Sequence, residues 1–181
     1  MKKFLLIFAL TFVLVGCSFG MMENTPTQKV EDYLSKYQRL DKSVMDDLDV
    51  TLQAEDTLDD DDREDYKEFM KKHYQDLEYE IKDETIDGDN ATVIAEVTVR
   101  NYTDAVSKAD IYKKSNEDAF NDESGDYDPS LFSSYRLEEL KKVTDTATYT
   151  ITFTLIKQND KWVLNQLSDE DLNKINGLYA G

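Results

Sequence analysis

Two parts of the chain alternate apolar and polar residues with the period of two that a half-buried β-strand requires. Every second residue between positions 91 and 99 is valine or alanine, and residues 147–155 alternate apolar side chains with four threonines. Asn159-Asp160 is a turn signal that separates this second part from the short apolar run at 162–164. The pattern predicts a strand near 91–99, paired with one that begins at Tyr79, and a strand hairpin over 147–164.

Stretches with the three-and-four spacing of an amphipathic helix surround these strands. Thr25-Pro26-Thr27-Gln28 is a capping box with proline at the first helical position, and apolar residues follow at helical spacing as far as Leu48. We therefore expect one helix here, a second after the acidic run 59–62, and a weaker one over 104–120. Asp128-Pro129 and Ser168 predict two further helix starts, and Gly177 can end the last helix.

The first seventeen residues have the pattern of an export signal. Lys2 and Lys3 precede an apolar run over 4–15, and Leu14-Val15-Gly16-Cys17 stands at its end. This tetrapeptide resembles the lipobox of bacterial lipoproteins, which implies removal of residues 1–16 and attachment of a diacylglyceryl group and acyl chains such as palmitate to Cys17. Two chains hold a protein stably at a membrane, whereas one chain holds it only marginally.

The alternative to a cleaved signal is an uncleaved membrane helix over 4–22, but its apolar run is shorter than the ~18 residues that a span requires. Both alternatives leave the basic start in the cytoplasm and place the remaining chain outside. The sequence therefore predicts a signal peptide (1–16), a tether (17–24) and a single α+β domain (25–181). We expect the protein at the outer face of the cell membrane.

Charge and composition narrow the classes of function. The chain has 21 basic and 39 acidic residues and a net charge of −18, which argues against a nucleic-acid partner. One cysteine and one histidine cannot form an internal disulfide or an ordinary zinc site. Hydrophobic residues make up 40% of the chain, which is too many for a disordered acidic tail.

The order of elements resembles the small export lipoproteins of the nuclear transport factor 2-like superfamily, which are common in Gram-positive bacteria. The residues that carry the resemblance are Val97-Thr98-Val99-Arg100-Asn101-Tyr102-Thr103-Asp104, where a strand leads into a helix, and Lys157-Gln158-Asn159-Asp160-Lys161-Trp162. The resemblance implies a curved antiparallel sheet packed on helices, the cystatin-like cone, with a cavity on its concave side. Most such lipoproteins have no assigned activity, and a fold alone does not give a function.

The candidate pocket residues are His73, Tyr102 and Trp162. His73 lies on the apolar face of the second predicted helix, where a lone histidine is usually a buried residue that hydrogen-bonds a neighbour. Tyr102 and Trp162 are expected at the mouth of the cone, as pocket residues or as part of the core. Enzymes of the wider superfamily use a carboxylate or histidine base, but no motif here matches theirs. The sequence therefore predicts no catalytic residue, no cofactor and no enzymatic activity.

A calcium site is the second candidate. Asp122, Ser124, Asp126 and Asp128 alternate as oxygen donors, as in a calcium-binding loop. Tyr127 stands where that loop needs glycine, and Ser133 where it needs a bidentate glutamate. The alternative is a solvated turn that ends in a helix cap.

Two functions remain open at this point. The first is a lipid-anchored, non-enzymatic module that binds an envelope protein or a small ligand. The second is an enzyme or calcium-dependent module that uses a carboxylate in the cone or in the acidic loops.

Overall fold

The computed structural model of the protein describes residues 24–180. The predicted signal peptide, Cys17 and the tether up to residue 23 lie outside the described residues. The helices and strands are, in chain order, α1 (Pro26–Gln38), α2 (Lys42–Gln53), α3 (Asp60–Gln75), β1 (Glu78–Asp87), β2 (Asn90–Arg100), α4 (Thr103–Ser115), a 3-10 helix (Glu117–Phe120), α5 (Pro129–Lys141), β3 (Thr146–Gln158), β4 (Lys161–Leu164) and α6 (Asp169–Ile175).

The strands form one open antiparallel sheet in the order β1-β2-β3-β4, and helices pack against it. This confirms the predicted α+β class and the antiparallel sheet packed on helices. No helix in the described part of the chain is long and apolar enough to cross a membrane.

The period of two in the sequence becomes the two faces of the sheet, because successive side chains of a strand point to opposite sides. The inner face buries Val93 and Val97 of β2 against Ile151 and Phe153 of β3, and α1 adds Leu34 to this core. The threonines of β3 lie on the outer face and are exposed. The alternation of apolar and polar residues therefore determines which face of the sheet the helices cover.

The first predicted helix is two helices in the structure, so the prediction of one continuous helix is wrong. Thr25 caps α1 as predicted, and its hydroxyl accepts a hydrogen bond from the Gln28 N–H at 3.1 Å. The break comes at Leu40, which takes a left-handed backbone with φ of 54°. The Asp41 N–H donates to the Lys36 carbonyl at 2.9 Å, which closes the end of α1 in a Schellman turn.

The end of α6 docks onto the far end of β2. Gly177 has φ of 69° and ends α6 as predicted, with the Leu178 N–H donating to the Asn173 carbonyl. The Gly177 carbonyl in turn accepts a hydrogen bond from the Tyr102 N–H at 2.8 Å. This contact joins the C-terminal turn to the segment that leads from β2 into α4.

Candidate functional site

A groove of about 440 Å³ lies where β2 ends, between α3 and the end of α5. It combines buried aromatic side chains with charged groups. Its lining residues are Glu68, Phe69, Lys72, His73, Asp76, Arg100, Tyr102, Leu140, Lys141, Val143 and Thr144.

Helical spacing explains why α3 supplies much of the lining. Residues three and four apart lie on the same face of a helix, so Phe69, Lys72, His73 and Asp76 share one side. Opposite them, Arg100 ends β2 and Tyr102 follows two residues later. The sequence pattern that buries one face of α3 therefore also places polar groups beside the groove.

His73 is the most buried polar residue of the groove, with 2% of its surface exposed. Its Nε2 lies 2.9 Å from the carbonyl oxygen of Ile175. Because a carbonyl only accepts hydrogen bonds, Nε2 carries the proton and Nδ1 is left as an acceptor. Nδ1 is buried and has no hydrogen-bond partner among the described residues. Burial lowers the pKa of His73, which favours this neutral form at neutral pH.

The aromatic side chains of the groove contact one another, and one of them adjoins the imidazole. The ring of Tyr102 lies 5.3 Å from that of His73 and 5.1 Å from that of Phe69, measured between centroids. Burial raises the pKa of Tyr102 to about 12, so its hydroxyl keeps its proton and can donate a hydrogen bond. The lining of the groove thus combines an apolar wall, a hydroxyl donor and a buried imidazole acceptor.

Charged side chains form the rim of the groove. The Asp76 carboxylate lies 3.0 Å from Lys72 Nζ and 3.6 Å from Arg100 Nη2. Its pKa is lowered, first by the hydrogen bond from Lys72 and then also by Arg100. Arg100 is fixed further by its donation to the Thr144 carbonyl. A third cation, Lys141, pairs with carboxylates on α3 and α5.

Trp162 does not belong to this groove. It is 7% exposed and lies in the main core on β4. Its backbone N–H donates to the Asn24 side chain at 3.3 Å, and Lys157 Nζ lies 5.9 Å from its ring. The structure therefore brings His73 and Tyr102 together and places Trp162 in the core beside α1.

Two acidic residues of the calcium candidate, Asp122 and Asp128, cap a turn and a helix. One oxygen of Asp122 accepts hydrogen bonds from the backbone N–H groups of Ser124 and Asp126. Asp128 caps α5 by accepting from the Ser130 N–H at 2.9 Å. Within residues 24–180, no group of three or more histidine, cysteine, aspartate or glutamate side chains is placed to hold a metal ion.

Sequence reasoning missed the charged rim of the groove. Lys72 and Asp76 stand at an i, i+4 spacing that is typical of any exposed helix face. Arg100 lies within the segment that carries the family resemblance. Its position at the end of a predicted strand was the one feature of the sequence that could have indicated a charged group at this end of the sheet. The pairing of Arg100 with Asp76 joins two elements and is not visible in either segment alone.

Comparisons with known proteins give one match. No protein-family model and no curated protein matches the sequence. Among solved structures, the fold is similar to the crystal structure of a candidate lipoprotein (ycdA) from Bacillus subtilis, with a TM-score of 0.45 and 17% sequence identity. The match covers 86% of this chain and 47% of that one, so this chain spans about half the length of that protein.

Proposed function

We propose that the protein is an extracytoplasmic lipoprotein, anchored to the outer face of the cell membrane through Cys17, whose domain binds a ligand in the groove beside His73 and Tyr102. The ligand is a small molecule or part of an envelope protein, and binding involves no chemical step. We also propose that the sheet and its helices form a cystatin-like cone. The support for this is the resemblance of two sequence segments to that family.

The anchor is supported by the order of features in residues 2–17. A basic start, an apolar run and a terminal Leu-Val-Gly-Cys follow one another directly, as in a lipoprotein signal. Cleavage before Cys17 would remove two of the 21 basic residues and change the net charge from −18 to −20.

The single observation that carries the binding function is the unpartnered Nδ1 of His73. A buried acceptor without a hydrogen bond costs on the order of 1–3 kcal/mol, which a ligand can recover by donating an N–H or O–H to it. Tyr102 and Phe69 supply apolar area to the groove, with the Tyr102 ring 5.3 Å from the imidazole, and Arg100 with Lys72 supplies charge at the rim. We therefore expect a ligand with a hydrogen-bond donor, an apolar part and a polar end.

The anchor is tested by Cys17→Ala in the native host, with Ser18→Ala as the matched control. We expect the Cys17 variant to accumulate as unprocessed, unlipidated precursor, since the thiolate is the group that is alkylated. The Ser18 variant should be processed normally. Normal processing and membrane attachment of Cys17→Ala would overturn the anchor.

Ligand binding is tested by native mass spectrometry of the lipoprotein, purified in mild detergent from its own host. Added mass that survives desalting would identify the ligand. We expect Tyr102→Phe, which removes only the groove hydroxyl, to weaken its retention, and Lys161→Gln at the other end of the sheet to leave it unchanged. Bare protein mass in every preparation would contradict a tightly held ligand. The added mass of a metal ion would instead support the calcium-dependent alternative.

An enzymatic role is the second candidate, favoured by one observation. A neutral imidazole nitrogen beside a protonated phenol is a base next to a hydrogen-bond donor, and such pairs are used in proton transfer. The two functions differ in what His73→Gln does once the ligand is known. Loss of turnover with binding retained would support an enzyme, whereas loss of binding alone would support a binding module.

A further inference from the structure

The described chain begins at one end of the sheet. The Asn24 side-chain amide donates to the Asp160 carbonyl at 3.0 Å, and its oxygen accepts from the Trp162 N–H. Both contacts lie at the turn between β3 and β4. The turn between β1 and β2 lies at this same end, since the Lys157 N–H donates to the Asp89 carbonyl at 2.8 Å. We call this the turn end of the domain.

The groove lies at the opposite end of the sheet. In the pairing of β2 with β3, Asn90 faces Ile156 near the turns and Arg100 faces Thr146 beside the groove. Strand β2 has 11 residues and connects the two ends. At about 3.3 Å per residue, the turn end and the groove end are separated by about 33 Å.

The tether is short compared with this separation. Cys17 and Asn24 are seven positions apart, and an extended chain covers at most about 3.5 Å per residue, so the tether reaches at most about 24 Å. A lipid on Cys17 therefore holds the turn end close to the bilayer and cannot reach the groove end. The excess of 39 acidic over 21 basic residues also repels the domain from anionic lipids, which disfavours a domain lying flat on the surface.

We infer that the anchored protein presents its groove away from the bilayer and takes a water-soluble ligand in preference to a membrane lipid. This inference rests on the proposed lipid anchor and adds the direction from which the ligand arrives. A lipid headgroup would have to reach a groove that the tether keeps on the far side of the sheet.

The test uses the full, lipidated chain on vesicles of phosphatidylcholine with a minority of phosphatidylglycerol, which carry an energy-transfer acceptor on their headgroups. Two variants with one introduced cysteine each carry the donor dye: Gln158→Cys at the turn end and Thr144→Cys beside the groove. Both positions are exposed and uncharged, which makes the pair matched. Acylation blocks the thiol of Cys17, so labelling is confined to the introduced cysteine.

We expect markedly higher transfer efficiency from position 158 than from position 144. Equal efficiencies, or higher transfer from position 144, would overturn the inference while leaving the anchor intact, and the second result would favour a lipid headgroup as the ligand. Failure of both variants to sediment with vesicles would overturn the anchor and this inference together, and sedimentation distinguishes that outcome from a wrong orientation.

Discussion

Replacing Gly177 by alanine tests whether the C-terminal turn holds the groove end together. A Cβ at this position would lie 2.0 Å from the Arg100 carbonyl oxygen and 3.1 Å from Cδ2 of Tyr102. The first neighbour is backbone of a central strand and cannot move aside at low cost. The turn must therefore separate from the end of β2, or the strand must shift.

The magnitude has two parts. A left-handed backbone costs an L-residue roughly 1–2 kcal/mol compared with glycine, and forcing additional atoms into a packed site costs roughly a further 1–3 kcal/mol. Gly177→Ala should therefore lower the free energy of unfolding by about 2–5 kcal/mol, a large share of the ~5–15 kcal/mol that stabilises a typical domain. Gly88→Ala is the matched control, because Gly88 has φ of 59° and nothing lies within 4 Å of the added Cβ. Gly88→Ala should therefore lose only the roughly 1–2 kcal/mol that the left-handed backbone costs.

Urea unfolding of both variants, followed by fluorescence, separates these contributions. Trp162 is the only tryptophan and is 7% exposed, so its emission reports on unfolding of the main core. The difference between the two variants measures the clash with Arg100, since the backbone conformation is shared. If Gly177→Ala is as mild as Gly88→Ala, the close approach of the C-terminal turn to β2 is refuted.

Three further predictions concern single contacts. Burial lowers the pKa of His73, so the stability that its neutral form provides is complete above pH ~6.5. Below that pH the stability declines by at most about 1.4 kcal/mol per pH unit. Unfolding experiments from pH 8 to 5 should show this decline in the wild type and not in His73→Gln. Lys72→Gln should raise the pKa of Asp76 more than Arg100→Gln does, measured by carboxyl NMR titration, because Lys72 is the larger cause of its lowering. Thr25→Ala should cost about 0.5–2 kcal/mol of stability in urea unfolding through loss of the α1 cap.

Each of these has an outcome that would contradict it. Equal pH slopes in the wild type and His73→Gln would mean that His73 titrates alike in the folded and unfolded chain. A larger rise of the Asp76 pKa in Arg100→Gln would reverse the assignment of its main partner. Thr27→Ala removes the same atoms from the first turn of α1 without removing the cap, and an equal loss from both threonines would exclude capping as the cause.

The fold was largely predictable because most of its helices and strands have a local sequence pattern. Alternation identified β2 and β3, and caps identified the starts of α1, α5 and α6. The break between α1 and α2 was not predictable, because leucine at position 40 gives no signal for a left-handed backbone. A left-handed backbone is unfavourable for leucine. Tertiary packing compensates for this, since Leu40 packs against the cluster between α2 and α3.

Strand β1 shows a signal that sequence reasoning could have used further. Tyr79 and Ile81 are at odd positions, whereas Ile86 is at an even one, so the alternation changes phase within the strand. The structure has a bulge between Ile81 and Asp83, after which Ile86 pairs with Ala91, although Ile86 stays 52% exposed at the end of the strand. A change of phase in an alternating segment is thus a sequence signature of a bulge.

The candidate site was predicted only in part, because it is built from contacts between distant parts of the chain. Periodicity placed His73 on a buried face but gave no partner for it. That partner is the carbonyl of Ile175, 102 positions further on, at the end of a short helix that Gly177 terminates. The C-terminal turn therefore stabilises the groove end and also fixes the tautomer of His73. The carbonyl of Ile175 accepts from Nε2, which leaves Nδ1 as the acceptor. A variant that displaces the turn should disturb ligand binding and stability together, whereas one that removes only the Tyr102 hydroxyl should disturb binding alone.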